Sequence, residues 1–303
     1  MSNLQKILVA YDGSPHSKVA LAWAMRLGAN HNAELEVIKV FEPIIRQYNR
    51  ADYDISEQIT ERYAEMEKAD RQIMQDVKKI CDAGCKLKVN VDLLKGHVAS
   101  TLLEYARQKG LDLIVTGTKG HGMLEEMLVG SVTSSLVSLS KVPVLVVKEK
   151  PAPDKLQKIL VAYDGSEFAK AALALAIEIG KSAGAQIVAV KVYDTLTLTM
   201  IYSMAESGSG LRLAEKLAEL DASEKKILDD AKSAAAIKGM EIGTELLSGS
   251  NIADTVINYA KENNSDMIVA GTLGHGLLGE LLMGSVTRNL ISLSQIPVLV
   301  VKK

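Results

Sequence analysis

Short apolar runs alternate along the chain with stretches of helical periodicity. "KILVAY" (6–11) is rich in β-branched residues and reads as a buried strand. "DGSPHS" then turns the chain, with Ser14 placed to cap a helix and Pro15 at its first position. Ala20, Trp23, Ala24 and Leu27 follow at helical spacing. "ELEVIKVF" (34–41) gives a second strand. The next stretch places Ile59, Tyr63, Met66, Ile73, Val77 and Ile80 on one stripe of a long helix. "KLKVNVDLL" (86–94) alternates as a third strand, and "VASTLLEYARQKG" (98–110) is a short helix ended by Gly110. "LDLIVTG" (111–117) is a fourth strand, "SVTSSLVSLS" (131–140) a serine-headed helix, and "VPVLVVK" (142–148) a fifth strand.

This order is written twice. "KILVAYDGS" occurs at Lys6–Ser14 and Lys158–Ser166, an offset of 152, and "PVLVVK" at Pro143–Lys148 and Pro297–Lys302, an offset of 154. A period of about 150 residues is a whole domain, so the chain reads as a tandem duplication. Residues 1–148 form the first domain and 158–303 the second, joined by a linker, 149–157, that carries Pro151 and Pro153. Strands separated by helices imply a mostly parallel sheet covered on both faces. Five strands with four crossovers suit a doubly wound, Rossmann-like α/β domain, whose ligands sit at the carboxyl ends of strands where the winding reverses. Glu42–Ile55 and Asp194–Gly210 differ most between the halves and read either as flaps over that crevice or as plain surface insertions.

Composition narrows the function classes. A net charge of −2 removes the electrostatic footprint of a nucleic-acid or membrane-surface protein, and 4% aromatics removes base stacking. No run approaches the roughly 18 apolar residues of a membrane span. The amino terminus lacks a basic head before an apolar core, so a cytoplasmic protein is expected. Cys81 and Cys85 have no second pair or histidine cluster to complete a metal site, and two reduced thiols are expected.

The sharpest feature is a glycine-studded loop, "GTKGHGMLEEMLVGSVTSSL" (117–136), repeated as "GTLGHGLLGELLMGSVTRNL" (271–290). Clustered glycine costs chain entropy and needs a reason. Gly117 and Gly120 can let backbone N–H groups line a nest, while Gly130-Ser131 opens a helix with free N–H groups and a hydroxyl. Both are anion sites that a phosphate chain can bridge. Turn shaping and helix capping are the other reading, and duplication copies turns as faithfully as sites. The chain has no G-x-x-x-x-G-K-[ST], and no G-x-G-x-x-G follows the first strand.

With these residues quoted, the sequence resembles the universal stress proteins in their tandem two-domain form. The resemblance is carried by a glycine, two residues, a glycine, nine residues, then glycine and serine. Here that is Gly117, Gly120 and Gly130-Ser131, and again Gly271, Gly274 and Gly284-Ser285. It implies strand order 3-2-1-4-5 in each half and the ATP-binding branch of the family. Asp12 and Asp164 match the position that contacts adenosine. Val40 and Val192 match the position whose backbone reads the adenine edge, and Ala10 and Ala162 are carried over with them. On the phosphate side the resemblance adds Thr118, His121, Gly122 and Val132 in the first half. Thr272, His275, Gly276 and Val286 are their counterparts in the second. Mg²⁺ is expected with the nucleotide, because the sequence supplies few cations to balance a triphosphate.

No catalytic set stands out: HxH and HExxH are absent, and Ser131 and Ser285 read as caps and phosphate ligands rather than nucleophiles. Binding with at most slow ATP hydrolysis is therefore expected of a regulatory or stress-tolerance protein. An adenylating or nucleotide-hydrolysing enzyme on the same fold and a nucleotide-free partner-binding protein remain as rival classes. "VPVLVVK" would be an outer strand, and an exposed apolar edge invites aggregation unless it is covered. The simplest cover is Pro143–Lys148 lying antiparallel to Pro297–Lys302, an internal pseudo-dimer, with pairing to a second copy of the chain also expected.

Overall fold

The computed structural model describes residues 4–42, 53–84, 86–118, 129–194, 210–273 and 283–302. The first half runs β1 (Lys6–Ala10), α1 (Pro15–His31), β2 (Glu34–Phe41), α2 (Tyr53–Gly84), β3 (Val89–Lys95), α3 (Val98–Lys109), β4 (Leu113–Gly117), α4 (Ser131–Leu139) and β5 (Val144–Val147). The second repeats it as β6 (Lys158–Ala162), α5 (Glu167–Ala183), β7 (Gln186–Asp194), α6 (Gly210–Ile237), β8 (Gly243–Gly249), α7 (Ile252–Glu262), β9 (Met267–Gly271), α8 (Ser285–Leu293) and β10 (Val298–Val301).

The strands form one ten-stranded sheet in the order β3-β2-β1-β4-β5-β10-β9-β6-β7-β8. Each half is parallel with its strands in the order 3-2-1-4-5, as the resemblance implies. β5 and β10 pair antiparallel, with Val146 opposite Val298, Leu145 opposite Leu299 and Val144 opposite Val300. The apolar outer strand of each half is thereby covered by its equivalent in the other half. Because side chains alternate along a strand, the seam feeds both faces of the sheet. Leu145, Val147, Leu299 and Val301 join the core under α1, α2, α5 and α6. Val144, Val146, Val298 and Val300 join the core under α3, α4, α7 and α8.

Local chemistry sets the helix ends. The Ser14 and Ser166 hydroxyls accept from the amides of Ser17 and Ala169, and Pro15 opens α1 as expected. Gly13 and Gly165 stand at φ of 89° and 82°, a left-handed turn that favours glycine. Gly110 ends α3 at φ 61°.

The expected stripe of α2 needs correction. Met66 and Ile80 are 49% and 58% exposed, while Met74, Val77 and Cys81 are buried. Tyr63 still packs edge-on to Phe41, and Ile73 and Val77 reach the core, while ion pairs to the sheet flank this face: Asp70 meets Lys39 at 3.2 Å, and Glu67 meets Lys95 at 2.7 Å. Cys81 is a buried thiol, and Cys85 lies outside the described residues. Most of both expected flaps also lies outside them.

The segment between the halves is fastened. The Trp23 indole donates to the Lys150 carbonyl at 3.0 Å, Lys150 Nζ donates to the Ser265 carbonyl at 2.8 Å, and Leu156 is fully buried.

Candidate functional site

In each half the winding direction reverses between the first and fourth strands, and a cleft opens at their carboxyl ends. The first, about 320 Å³, brings together Ala10, Asp12, Val40, Gly117, Gly130, Ser131 and Val132. Ile38, Val98 and Leu102 supply an apolar wall. The second, about 380 Å³, brings together Ala162, Asp164, Val192, Gly271, Gly284, Ser285 and Val286, with Val190, Ile252 and Val256 as its wall. Thr118 and Thr272 stand just beyond the strand ends, 1% and 5% exposed. Gly120, His121, Gly122, Gly274, His275 and Gly276 lie outside the described residues.

The carboxylates are held by their own turns. Asp12 Oδ1 accepts from the Ser14 amide at 2.9 Å, and Asp164 Oδ1 accepts from the Ser166 amide at 2.9 Å. Behind Asp12, Lys39 Nζ donates to the Asp12 carbonyl at 2.8 Å and pairs with Asp70. In the second half, Lys191 pairs with Glu224 at 2.9 Å. Burial first, and then the neighbouring Asp12 carboxylate, push the Tyr11 phenol up from its usual value, and the ring packs into the core on the α1/α2 face of the sheet. The halves are not identical. Ser17 Oγ accepts from the Gly13 amide at 3.1 Å, whereas its counterpart Ala169 has no hydroxyl to brace the turn.

The helix that opens onto each cleft is clamped to the strand end beside it. Thr133 Oγ1 donates to the Gly117 carbonyl at 2.6 Å, and the Gly130 amide donates to the Thr118 carbonyl at 2.8 Å. Thr287 to Gly271 at 2.7 Å and Gly284 to Thr272 at 2.9 Å repeat this. Gly130 and Gly284 are the N-caps, extended at φ −72° and −61°, with no side-chain cap. The Ser131 and Ser285 hydroxyls therefore do not cap the helices, contrary to expectation; these serines are the first helical residues. The first amides of α4 and α8 have no partner within their helices, which leaves an electropositive end on the cleft.

Gly117 also has a packing reason, which the sequence did not show. A β-carbon there would sit 2.6 Å from His16 Cβ and 3.0 Å from its backbone carbon. At Gly271 it would sit 2.7 Å from Phe168 Cβ and 2.8 Å from its backbone carbon. These glycines let the fourth strand of each half end against the start of the following-face helix, α1 or α5. Among the described residues, the Thr118 hydroxyl is buried with no hydrogen-bond partner.

Sequence reasoning missed Lys39 and Lys191. The available signal was a lysine at the same place in two otherwise apolar runs, "VIKVF" and "VAVKVY".

Two doubly wound α/β domains in one chain, each with a cleft at its switch point and a helix amino end facing it, define the class of protein. The chain belongs to the universal stress protein family, whose family model matches residues 3–148 and again residues 155–302. A universal stress protein of Mycolicibacterium smegmatis is 26% identical over 305 residues, covering 98% of this chain and 96% of that protein. One from Mycobacterium tuberculosis is 25% identical over 310 residues, covering 98% and 94%. The crystal structure of a universal stress protein from Archaeoglobus fulgidus has the same fold, with a TM-score of 0.65 and 22% identity over 100% of this chain and 99% of that one. Among the described residues, no helix is long and apolar enough to cross a membrane.

Proposed function

We propose that each half binds ATP, and that the protein is a nucleotide-binding regulatory protein rather than a catalyst. The observation that carries this reading is a pair of opposite ends on one cleft, present in both halves. The amides at the start of α4 or α8, which have no partner within the helix, suit a phosphate chain, and the Asp12 or Asp164 carboxylate suits ribose hydroxyls. The apolar wall of Ile38, Val40, Val98 and Leu102 suits a base. Volumes of about 320 and 380 Å³ lie within the range of small-molecule pockets. The Thr118 hydroxyl at the strand end, buried and without a partner among the described residues, is the kind of group that a bound polar ligand satisfies.

A carboxylate would repel phosphates, so Asp12 belongs at the nucleoside end. Asp12 is also the only acid among the described residues of the first cleft, and it lies at the nucleoside end in this reading, so none of those residues offers a base beside the phosphates. At most slow hydrolysis follows, driven by charge stabilisation at the helix end. Mg²⁺ would travel with the nucleotide and be held by its phosphates. A cytoplasmic setting and pairing with a second copy of the chain belong to the same reading.

Gly130→Asp and Gly284→Asp test it. The backbone at both positions suits any residue, and aspartate is a preferred N-cap, so each helix keeps its start while a carboxylate occupies the place of the phosphate. By calorimetric titration with Mg-ATP the protein should bind two nucleotides, each single variant one, and the double variant none. Uptake unchanged in the double variant, or none by the parent protein, overturns the proposal. Rapid ATP turnover would favour the enzyme class instead.

A further inference from the structure

The two phosphate-facing helices have an unusual second end. Each is a nine-residue rod with no basic residue in its own last turn. The last four carbonyls of any helix lack partners within it. Here a lysine from the opposite half supplies a partner. Lys302, just after β10, donates from Nζ to the Ser138 carbonyl in the last turn of α4. Lys148, just after β5, donates to the Ser292 carbonyl in the last turn of α8. The arrangement is reciprocal about the antiparallel seam, and a cation there complements the negative end of the helix dipole.

The backbone just before each lysine ties its strand to the cleft of its own half, without using the lysine side chain. The Val147 carbonyl, one residue before Lys148, accepts from the Thr118 amide at 2.9 Å, and the Thr118 carbonyl accepts from the Gly130 amide. The Val301 carbonyl, one residue before Lys302, accepts from the Thr272 amide at 3.0 Å, and the Thr272 carbonyl accepts from the Gly284 amide. Every phosphate-facing helix is therefore held by its own half at the amino end and by the other half at the carboxyl end. A helix of this length spans only about 13 Å, so a change in its grip at one end alters its tilt at the other.

We propose that Lys148 and Lys302 are positioning residues, each setting the phosphate affinity of the cleft in the opposite half. This rests on the nucleotide reading above. Its signature is crossed: Lys302 governs the first cleft and Lys148 the second. A residue that merely fastens the seam would act on both clefts alike or on neither.

The experiment uses full-length protein with one cleft silenced. With Gly284→Asp in place, only the first cleft titrates. Lys302→Met should then weaken ATP about two- to fivefold, the span of a helix-end charge interaction, and leave adenosine unchanged. Lys148→Met should leave that cleft alone. With Gly130→Asp in place the roles exchange. Lys302→Arg restores the affinity, and Lys302→Gln, which keeps a donor without the charge, falls between. Hydrogen exchange without nucleotide reads the grip directly: Lys302→Met should speed exchange in α4 and Lys148→Met in α8. Equal weakening of both clefts, an uncrossed pattern, or unchanged exchange in the opposite helix overturns the proposal. If the parent protein takes up no ATP while the crossed exchange pattern holds, the nucleotide reading fails and the helix-positioning role stands.

Discussion

Gly117 lies so close to His16 that a β-carbon on the glycine would fall 2.6 Å from the histidine's own Cβ. The first glycine of the motif is thus a packing residue between β4 and α1. Gly117→Ala must push strand and helix apart, and overpacking of this kind costs about 1–3 kcal/mol. We expect its melting temperature to fall in the absence of any ligand, and Gly271→Ala to behave likewise against Phe168. Gly130→Ala, at an ordinary extended φ of −72°, should melt close to the parent protein. Equal melting of Gly117→Ala and the parent would show that the helix shifts freely to make room.

Asp12 has two separable duties, because Oδ1 supports the turn while the carboxylate as a whole faces the cleft. Asp12→Asn keeps an acceptor for the Ser14 amide and removes the charge; Asp12→Ala removes both. Loss of a charge-assisted hydrogen bond costs about 1.5–3 kcal/mol, roughly ten- to a hundredfold in affinity. Both variants should weaken adenosine and ATP alike in titrations of the first cleft. A loss confined to ATP would place the phosphates, not the ribose, beside Asp12.

What the sequence revealed and what it hid follow from the range of the interactions involved. The strands were legible because both faces of β1, β4 and β5 are buried, so "KILVA", "LIVTG" and "VLVV" read as nearly continuous apolar runs. The seam was legible because an apolar outer strand demands cover. The face of α2 was misjudged at Met66 and Ile80, and the pairs Lys39–Asp70 and Lys95–Glu67 that flank it join residues distant in sequence, which periodicity cannot register. The motif glycines were legible as a spacing but not as a cause: Gly117 is set by the approach of α1, and its local backbone carries no left-handed φ. Lys148 and Lys302 read as the polar ends of strands, since their carbonyl partners belong to the other half.

His31 at the end of α1 meets Ser182 of α5 across the halves, with Nε2 and Oγ 2.7 Å apart. Burial lowers the ring's pKa from 6.5, and Glu178 opposes that in part. The unfolded chain therefore binds more protons than the folded one just below pH 6.5, and stability should fall as pH drops through the window between 6.5 and the lowered native value. His31→Gln should flatten that slope in urea unfolding measured from about pH 5 to 8. A slope unchanged by the substitution would assign the pH dependence to other groups.

The seam itself should decide whether the halves unfold together. Val146 and Val300 are 3% and 1% exposed on the α4/α8 face of the sheet, and each sits in the β5–β10 ladder. Val146→Lys with Val300→Lys would bury two like charges without partners, at a cost of several kcal/mol per ion. Within each half, β5 and β10 still have their parallel neighbours β4 and β9 to pair with, so the individual sheets have a route to survival. Opening the seam also carries Lys148 and Lys302 away from the carbonyls they hold, which removes the crossed lysine grip in the same step. We expect the double variant to melt in two transitions and to be cut at Lys150 and Lys155, where the connecting segment is fastened to both halves through Trp23 and Ser265. If it still melts once with that segment protected, the contact of α1 with α5 and the fastened linker hold the halves together without the strand pair.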